Sequence, residues 1–171
     1  MARKNGVDRT GSILIADDHE VVRQCLGYVL RRELAAEQVI EAATFDEALE
    51  RLADRSIFLA IFDLGMPGLE GPGDLAKVRR LRPDMRVVVL SGSESRGDVL
   101  AALEPGVRGY LVKNARTEIL VKRIRPVLDG EIYVPPVVAE LPREAPATAA
   151  SEPRKPSPAS SLTARQSACC G

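Results

Sequence analysis

Apolar positions along this chain follow two alternating rhythms. Compact runs rich in apolar residues, Ser12 to Ala16, Gln38 to Ala42, Ile57 to Phe62, Arg86 to Leu90 and Gly109 to Val112, read as strands. The third run is almost wholly apolar, which suits a strand covered on both faces. Between the runs, apolar residues recur every three or four positions, as on one face of a helix. The stripes are Val22, Cys25, Leu26, Val29 and Leu30; Phe45, Ala48, Leu49 and Leu52; Leu75, Val78 and Leu81; Val99, Ala102 and Leu103; and Leu120, Ile124, Val127 and Leu128. Capping signals mark the helix starts. Asp18 is placed to cap the first, with Glu20 in its first turn; Thr44 and Glu47 match a capping box; Ser95 with Asp98 resembles another cap. Pro83, Pro105-Gly106 and Gly130 close the later helices, and Gly71-Pro72-Gly73 shortens the start of the third. Strand and helix alternate throughout, which predicts an α/β fold with a parallel sheet and helices on both faces.

The chemistry lies where the strands stop. The first ends at Asp17-Asp18, the third at Asp63, the fourth at Ser91 and the fifth at Lys113. In an open parallel sheet ordered 2-1-3-4-5 these ends surround one crevice at the switch point between strands one and three. Three clustered carboxylates resist joint ionisation unless a cation joins them. Oxygen-only ligands favour a hard ion, Mg2+ above others, which binds through one or two carboxylates plus phosphate. A carboxylate can attack phosphorus and form an aspartyl phosphate, while a metal and a lysine stabilise charge on the phosphoryl oxygens. Nothing in the set suits acyl transfer, hydride transfer or zinc chemistry. The single histidine, His19, reads as a helix-start residue without a metal-ligand partner.

Composition narrows the class further. The 171 residues carry 24 basic and 24 acidic side chains, so no global charge draws the chain to nucleic acid or acidic membranes. No apolar run approaches a membrane span, and three cysteines make no disulfide framework, which favours a cytoplasmic protein. Cys25 reads as a small core residue. Arg79, Arg80 and Arg82 read as a solvated helix face. Residues 1–11 read as a flexible arm, and 135–161, rich in Pro, Ala and Ser, as a linker.

With these residues in place, I-L-I-A-D-D-H, I-F-D-L-G-M-P-G, V-V-V-L-S-G and G-Y-L-V-K resemble the receiver domain of bacterial two-component response regulators over about residues 12–134. The D-D-H start and the G-E-I-Y-V-P-P end are similar to the NarL/LuxR-type regulators of transcription. The resemblance implies a flavodoxin-like, doubly wound sheet and phosphorylation by a sensor histidine kinase. It makes Asp63 the phosphoacceptor. Asp17, Asp18 and Asp63 become Mg2+ ligands, completed by the backbone carbonyl of Gly65. Ser91 and Tyr110 become the switch pair, and Lys113 contacts the phosphoryl group. The chain would catalyse only its own phosphorylation and dephosphorylation, and a homodimer on phosphorylation is implied.

Ser161-Leu162-Thr163-Ala164-Arg165-Gln166 resembles the opening of the helix-turn-helix domain of such regulators, and residues 162–171 read as its remnant. With no recognition helix, no DNA binding is expected of this chain alone. Two outputs stay open: control of transcription, or a stand-alone receiver acting by protein–protein interaction as a relay intermediate or phosphate sink. A dehalogenase-like phosphatase would want a second aspartate where Gly65 stands.

Overall fold

The computed structural model describes residues 11–34 and 36–138. The expected arm lies outside them except for Gly11, and so do residues 139–161 of the expected linker and the 162–171 remnant. Five parallel strands, β1 (Ser12–Ala16), β2 (Gln38–Ala42), β3 (Ile57–Asp63), β4 (Arg86–Ser91) and β5 (Gly109–Val112), form one sheet in the order β2-β1-β3-β4-β5. The helices are α1 (Glu20–Leu34), α2 (Phe45–Arg51), α3 (Leu75–Leu81), α4 (Arg96–Leu103) and α5 (Thr117–Leu128). This is the flavodoxin-like α/β architecture that the alternating rhythm implies.

Each strand carries apolar side chains on both faces because each face meets a helical layer. Leu14, Phe62, Val89 and Tyr110 join the core under α2, α3 and α4, while Ile15, Ile61, Val88 and Leu111 join the core under α1 and α5. Thr44 caps α2 by accepting from Glu47 N, and the Glu47 carboxylate reaches back to Ala43 N. That main-chain bond, followed by Arg51, holds the Glu47 carboxyl below the usual carboxylate range. Gly71-Pro72-Gly73 acts as expected: Pro72–Asp74 form a 3-10 turn and leave α3 only 7 residues.

The outer edge of β5 is covered. Tyr110 N donates to Tyr133 O and Tyr133 N donates to Arg108 O, so residue 133 extends the sheet by one bridge. Unpaired sheet edges invite foreign strands, and this segment closes one of the two. Packing continues past Val134: Pro136–Val138 form a 3-10 turn, with Val138 against the core.

Three sequence expectations need correction. Cys25 is exposed, not a core residue; the buried face of α1 is carried by Leu26, Gly27 and Leu30. Asp18 does not supply the expected cap of α1. The carboxylate that meets main chain there is Asp17, which accepts from His19 N at 2.9 Å. Arg79, Arg80 and Arg82 are not one solvated face. Arg80 is exposed, Arg79 half-buried, and Arg82 buried at 2% exposure, whereas Leu81 is 52% exposed. The buried positions are therefore Leu75, Val78 and Arg82, a three-then-four helical spacing that carries the stripe past Leu81.

Arg82 donates to the carbonyls of Asp54 and Ile57 at 2.8 Å each, with longer bonds to Leu52 and Arg55. It thus ties down the turn that leads into β3. Arg82→Ala strips these buried carbonyls of their donor, and we expect a loss of about 3 kcal/mol. Arg82→Lys recovers only part of this, because an ammonium cannot reproduce the guanidinium fork. Urea unfolding of the three proteins checks both statements.

Candidate functional site: an acidic crevice at the strand ends

Parallel strands share a direction, so the carboxyl ends of β1, β3, β4 and β5 open on one edge of the sheet. A crevice of about 520 Å3 lies there, with His19, Asp63, Gly65, Ser91, Asp98 and Lys113 on its walls. A larger cleft of about 610 Å3 runs beside β2 and α2, lined by Gln38 to Glu41, Glu50, Arg51 and Asp54, and shares none of the crevice residues.

Asp17 and Asp63 are buried, at 1% and 4% exposure. Lys113 joins them: its Nζ lies 2.8 Å from Asp17 Oδ2 and 2.8 Å from Asp63 Oδ2. Burial works against the charged ammonium, but the two carboxylates outweigh it, and the Lys113 pKa lies above its ordinary value. Asp18 is more open, and its Oδ1 meets His19 Nδ1 at 2.6 Å.

Among the described residues, Asp17, Asp18, His19 and Asp63 place ligand atoms within 4.8 Å of one another. The cluster can hold a metal ion, and its oxygen-rich carboxylate donors suit a hard cation. His19 thus belongs to the site, against the sequence expectation. Its ring folds back over Asp17 and Asp18 at the turn into α1, and the unbroken D-D-H run was the available signal. Gly65 sits at the mouth: a methyl group there would lie 3.4 Å from Asp63 Oδ2. Any side chain at 65 would therefore stand against the carboxylate.

Ser91 ends β4, buried at 6% exposure, and its Oγ accepts from Ser93 N at 3.1 Å. Tyr110 is fully buried, and its hydroxyl donates to Ser93 O at 2.9 Å. Burial above all raises the Tyr110 phenol pKa. The structure therefore gathers Asp17, Asp18, Asp63, Gly65, Ser91 and Lys113 at one edge, with Tyr110 reaching it through Ser93. Glu70 and Asp98 also line the crevice. Glu70 stands on the connection after β3, whose path periodicity does not reveal, and Asp98 was read only as part of the α4 cap.

A parallel α/β sheet whose carboxyl edge gathers a carboxylate cluster, a hydroxyl and a lysine has a family counterpart. Residues 13–125 match the response regulator receiver domain, and this chain belongs to that family. It is 33% identical over 125 residues to the glycerol metabolism activator of Pseudomonas putida, covering 72% of this chain and 57% of that protein. The chain thus spans little more than half the length of this curated relative. A LuxR-family two-component response regulator from Aurantimonas sp. SI85-9A1 superposes with a TM-score of 0.69 at 27% identity, over 76% of this chain and 93% of that one. A response regulator from Burkholderia pseudomallei, solved with a phosphorylated aspartic acid, a calcium ion and citrate, gives 0.57 at 29% identity, over 65% and 64%. Among the described residues, no helix is long and apolar enough to cross a membrane.

The raised pKa of Lys113 sets a pH dependence. A group whose folded pKa lies above its unfolded value stabilises the fold below the unfolded pKa and stops doing so as pH rises through the folded one. Lys113→Met leaves two buried carboxylates without their cation, and we expect it to cost about 3 kcal/mol near neutral pH. The gap from wild type narrows above the ordinary lysine pKa of about 10.4. Urea unfolding at stepped alkaline pH, without divalent metal, measures the gap; a pH-independent gap contradicts the assignment.

Proposed function

We propose that this chain is a phosphorylation-switched receiver. It takes a phosphoryl group from a sensor histidine kinase onto Asp63, in a Mg2+-dependent reaction, and changes conformation to control a transcription output. The observation that carries the reading is the pairing of Lys113 Nζ with Asp63 Oδ2 at 2.8 Å beside an acidic cluster able to hold a cation. The solved relative with a phosphorylated aspartic acid and a bound calcium ion supports it.

Asp17, Asp18 and Asp63 would hold Mg2+, with the Gly65 carbonyl as a further ligand. The ion supplies charge neutralisation on the phosphoryl oxygens, the role hard cations take with phosphate. The chain's own residues do the rest. A carboxylate oxygen of Asp63 attacks phosphorus; the new O–P bond forms as the bond to the donor nitrogen breaks, and that nitrogen leaves with its electron pair and takes a proton. Lys113, already 2.8 Å from Asp63, follows the charge onto the phosphoryl oxygens. Ser91 Oγ accepts from Ser93 N, which leaves its own proton available to donate to the phosphoryl group. The new multivalent anion then biases the switch formed by Ser91 and Tyr110. The chain catalyses only its own phosphorylation and dephosphorylation. A homodimer of the phosphorylated form belongs to the same reading.

Incubation with Mg2+ and acetyl phosphate should add one phosphoryl group by intact mass. Asp63→Asn should take up none, and chelation of the metal should stop uptake by the wild type. A folded wild-type protein of unchanged mass sinks the proposal. Turnover of a generic phosphomonoester would point instead to a phosphatase.

A further inference from the structure

Ser93 spends each of its polar groups on a different part of the switch. Its N–H donates to Ser91 Oγ at 3.1 Å, on β4. Its carbonyl accepts from Tyr110 Oη at 2.9 Å, on β5. Its hydroxyl donates to Asp98 Oδ2 at 2.5 Å, in the first turn of α4. The same oxygen accepts from Ser95 N at 3.1 Å, and Ser95 Oγ in turn caps α4 by accepting from Asp98 N. A half-buried loop residue therefore joins two strand ends and a helix start.

Two inputs meet at this junction. Ser91 Oγ cannot move toward Asp63 without pulling on, or releasing, the Ser93 N–H that it holds. Asp98 stands on the wall of the crevice that also holds Asp63 and Lys113. An anion arriving on Asp63 repels the Asp98 carboxylate, and the hydroxyl that holds that carboxylate belongs to Ser93. Displacement of the serine and repulsion of the aspartate act on the same residue.

We propose that Ser93, through its hydroxyl bond to Asp98, is the positioning residue that passes the state of Ser91 and Tyr110 to helix α4. The proposal rests on Asp63 being the phosphoacceptor, and it deepens that reading by naming the residue that carries the signal out of the site. Ser93 itself touches no reacting atom. Its N–H and carbonyl contacts hold Ser91 and Tyr110 whatever the side chain is, so the hydroxyl is the separable link.

The experiment compares the full chain with Ser93→Ala and Ser93→Thr, each labelled with 3-fluorotyrosine and 15N. The Tyr110 fluorine resonance is assigned by its loss in Tyr110→Phe. With Mg2+ and acetyl phosphate, Asp63 of all three proteins takes up one phosphoryl group by intact mass. In wild type and Ser93→Thr, the Tyr110 resonance and the α4 amides shift together. In Ser93→Ala the Tyr110 resonance still moves, but the α4 amides lose most of their shift. A merely structural role would not uncouple the two signals. If the α4 amides of phosphorylated Ser93→Ala move as in wild type, the proposal is wrong.

Failure of the wild type to take up phosphate strikes the Asp63 reading instead. The unphosphorylated proteins then decide the junction. Loss of the hydroxyl should speed hydrogen exchange of the Asp98 and Val99 amides roughly fivefold, the scale of one lost capping bond, and the threonine should restore it. Unchanged exchange overturns the proposal on its own.

Discussion

Asp17 and Asp63 lie buried at the ends of adjacent strands, and one ammonium, Lys113 Nζ, stands 2.8 Å from a carboxylate oxygen of each. Two buried like charges side by side are unfavourable, and one cation between them offsets that only in part. The sheet order creates the crowding. With β1, β3, β4 and β5 consecutive and parallel, the residues at their carboxyl ends meet at the common edge. The apolar cores on both faces hold the strands in that register, so they also hold the charges together against their repulsion. A site crowded in this way is sensitive to any change in its charge.

The features that repeat locally were the ones legible in the sequence. All five strands stand where the compact apolar runs place them, and β3, buried on both faces, is apolar over its whole length up to Asp63. The caps at Thr44 and Ser95 are short-range chemistry, three residues from donor to acceptor, and they form as read. Asp63, Ser91 and Lys113 could be picked out because each interrupts an apolar run. What was not legible depends on direction rather than spacing. Arg82 reaches carbonyls 25 to 30 residues away, and no periodic pattern reports such a reach. Its burial shifts the α3 stripe by one position and leaves Leu81 outside. Cys25 sits at a stripe spacing, yet the helix turns it outward and fills the interior with Leu26 and Leu30. His19 lay beside two recognised ligands, but whether its ring faces them is decided by the turn into α1.

The covered edge of the sheet bears on how Tyr110 is held. β5 carries Tyr110 and runs directly into Lys113, and its outer side is held by main-chain bonds to residue 133. Tyr110 is therefore fixed on three sides: by Val89 in the neighbouring strand, by Tyr133 O through its own N–H, and by Ser93 O through its hydroxyl. The first two are backbone pairings that a side-chain rotation leaves intact. Only the third changes if the ring turns. The strand is thus a rigid mount for the Tyr110 ring.

Arg82 and Lys113 make the same distinction from the other side. Both are cations that the fold shelters from water. Arg82 has both terminal nitrogens on neutral carbonyls, which do not compete for its charge, and the carboxylate it meets, Asp84, is exposed at the rim. Nothing in ordinary chemistry alters carbonyl oxygens, so that arrangement has one state. Lys113 is surrounded by carboxylates that a cation can claim or a phosphoryl group can modify, so its partners can be taken away. A buried cation held by the backbone stabilises a fold; one held by titratable, metal-binding side chains makes the same fold responsive. The two ends of β3 carry the contrast: Arg82 anchors the entrance of the strand at Ile57, and Lys113 stands at its exit beside Asp63.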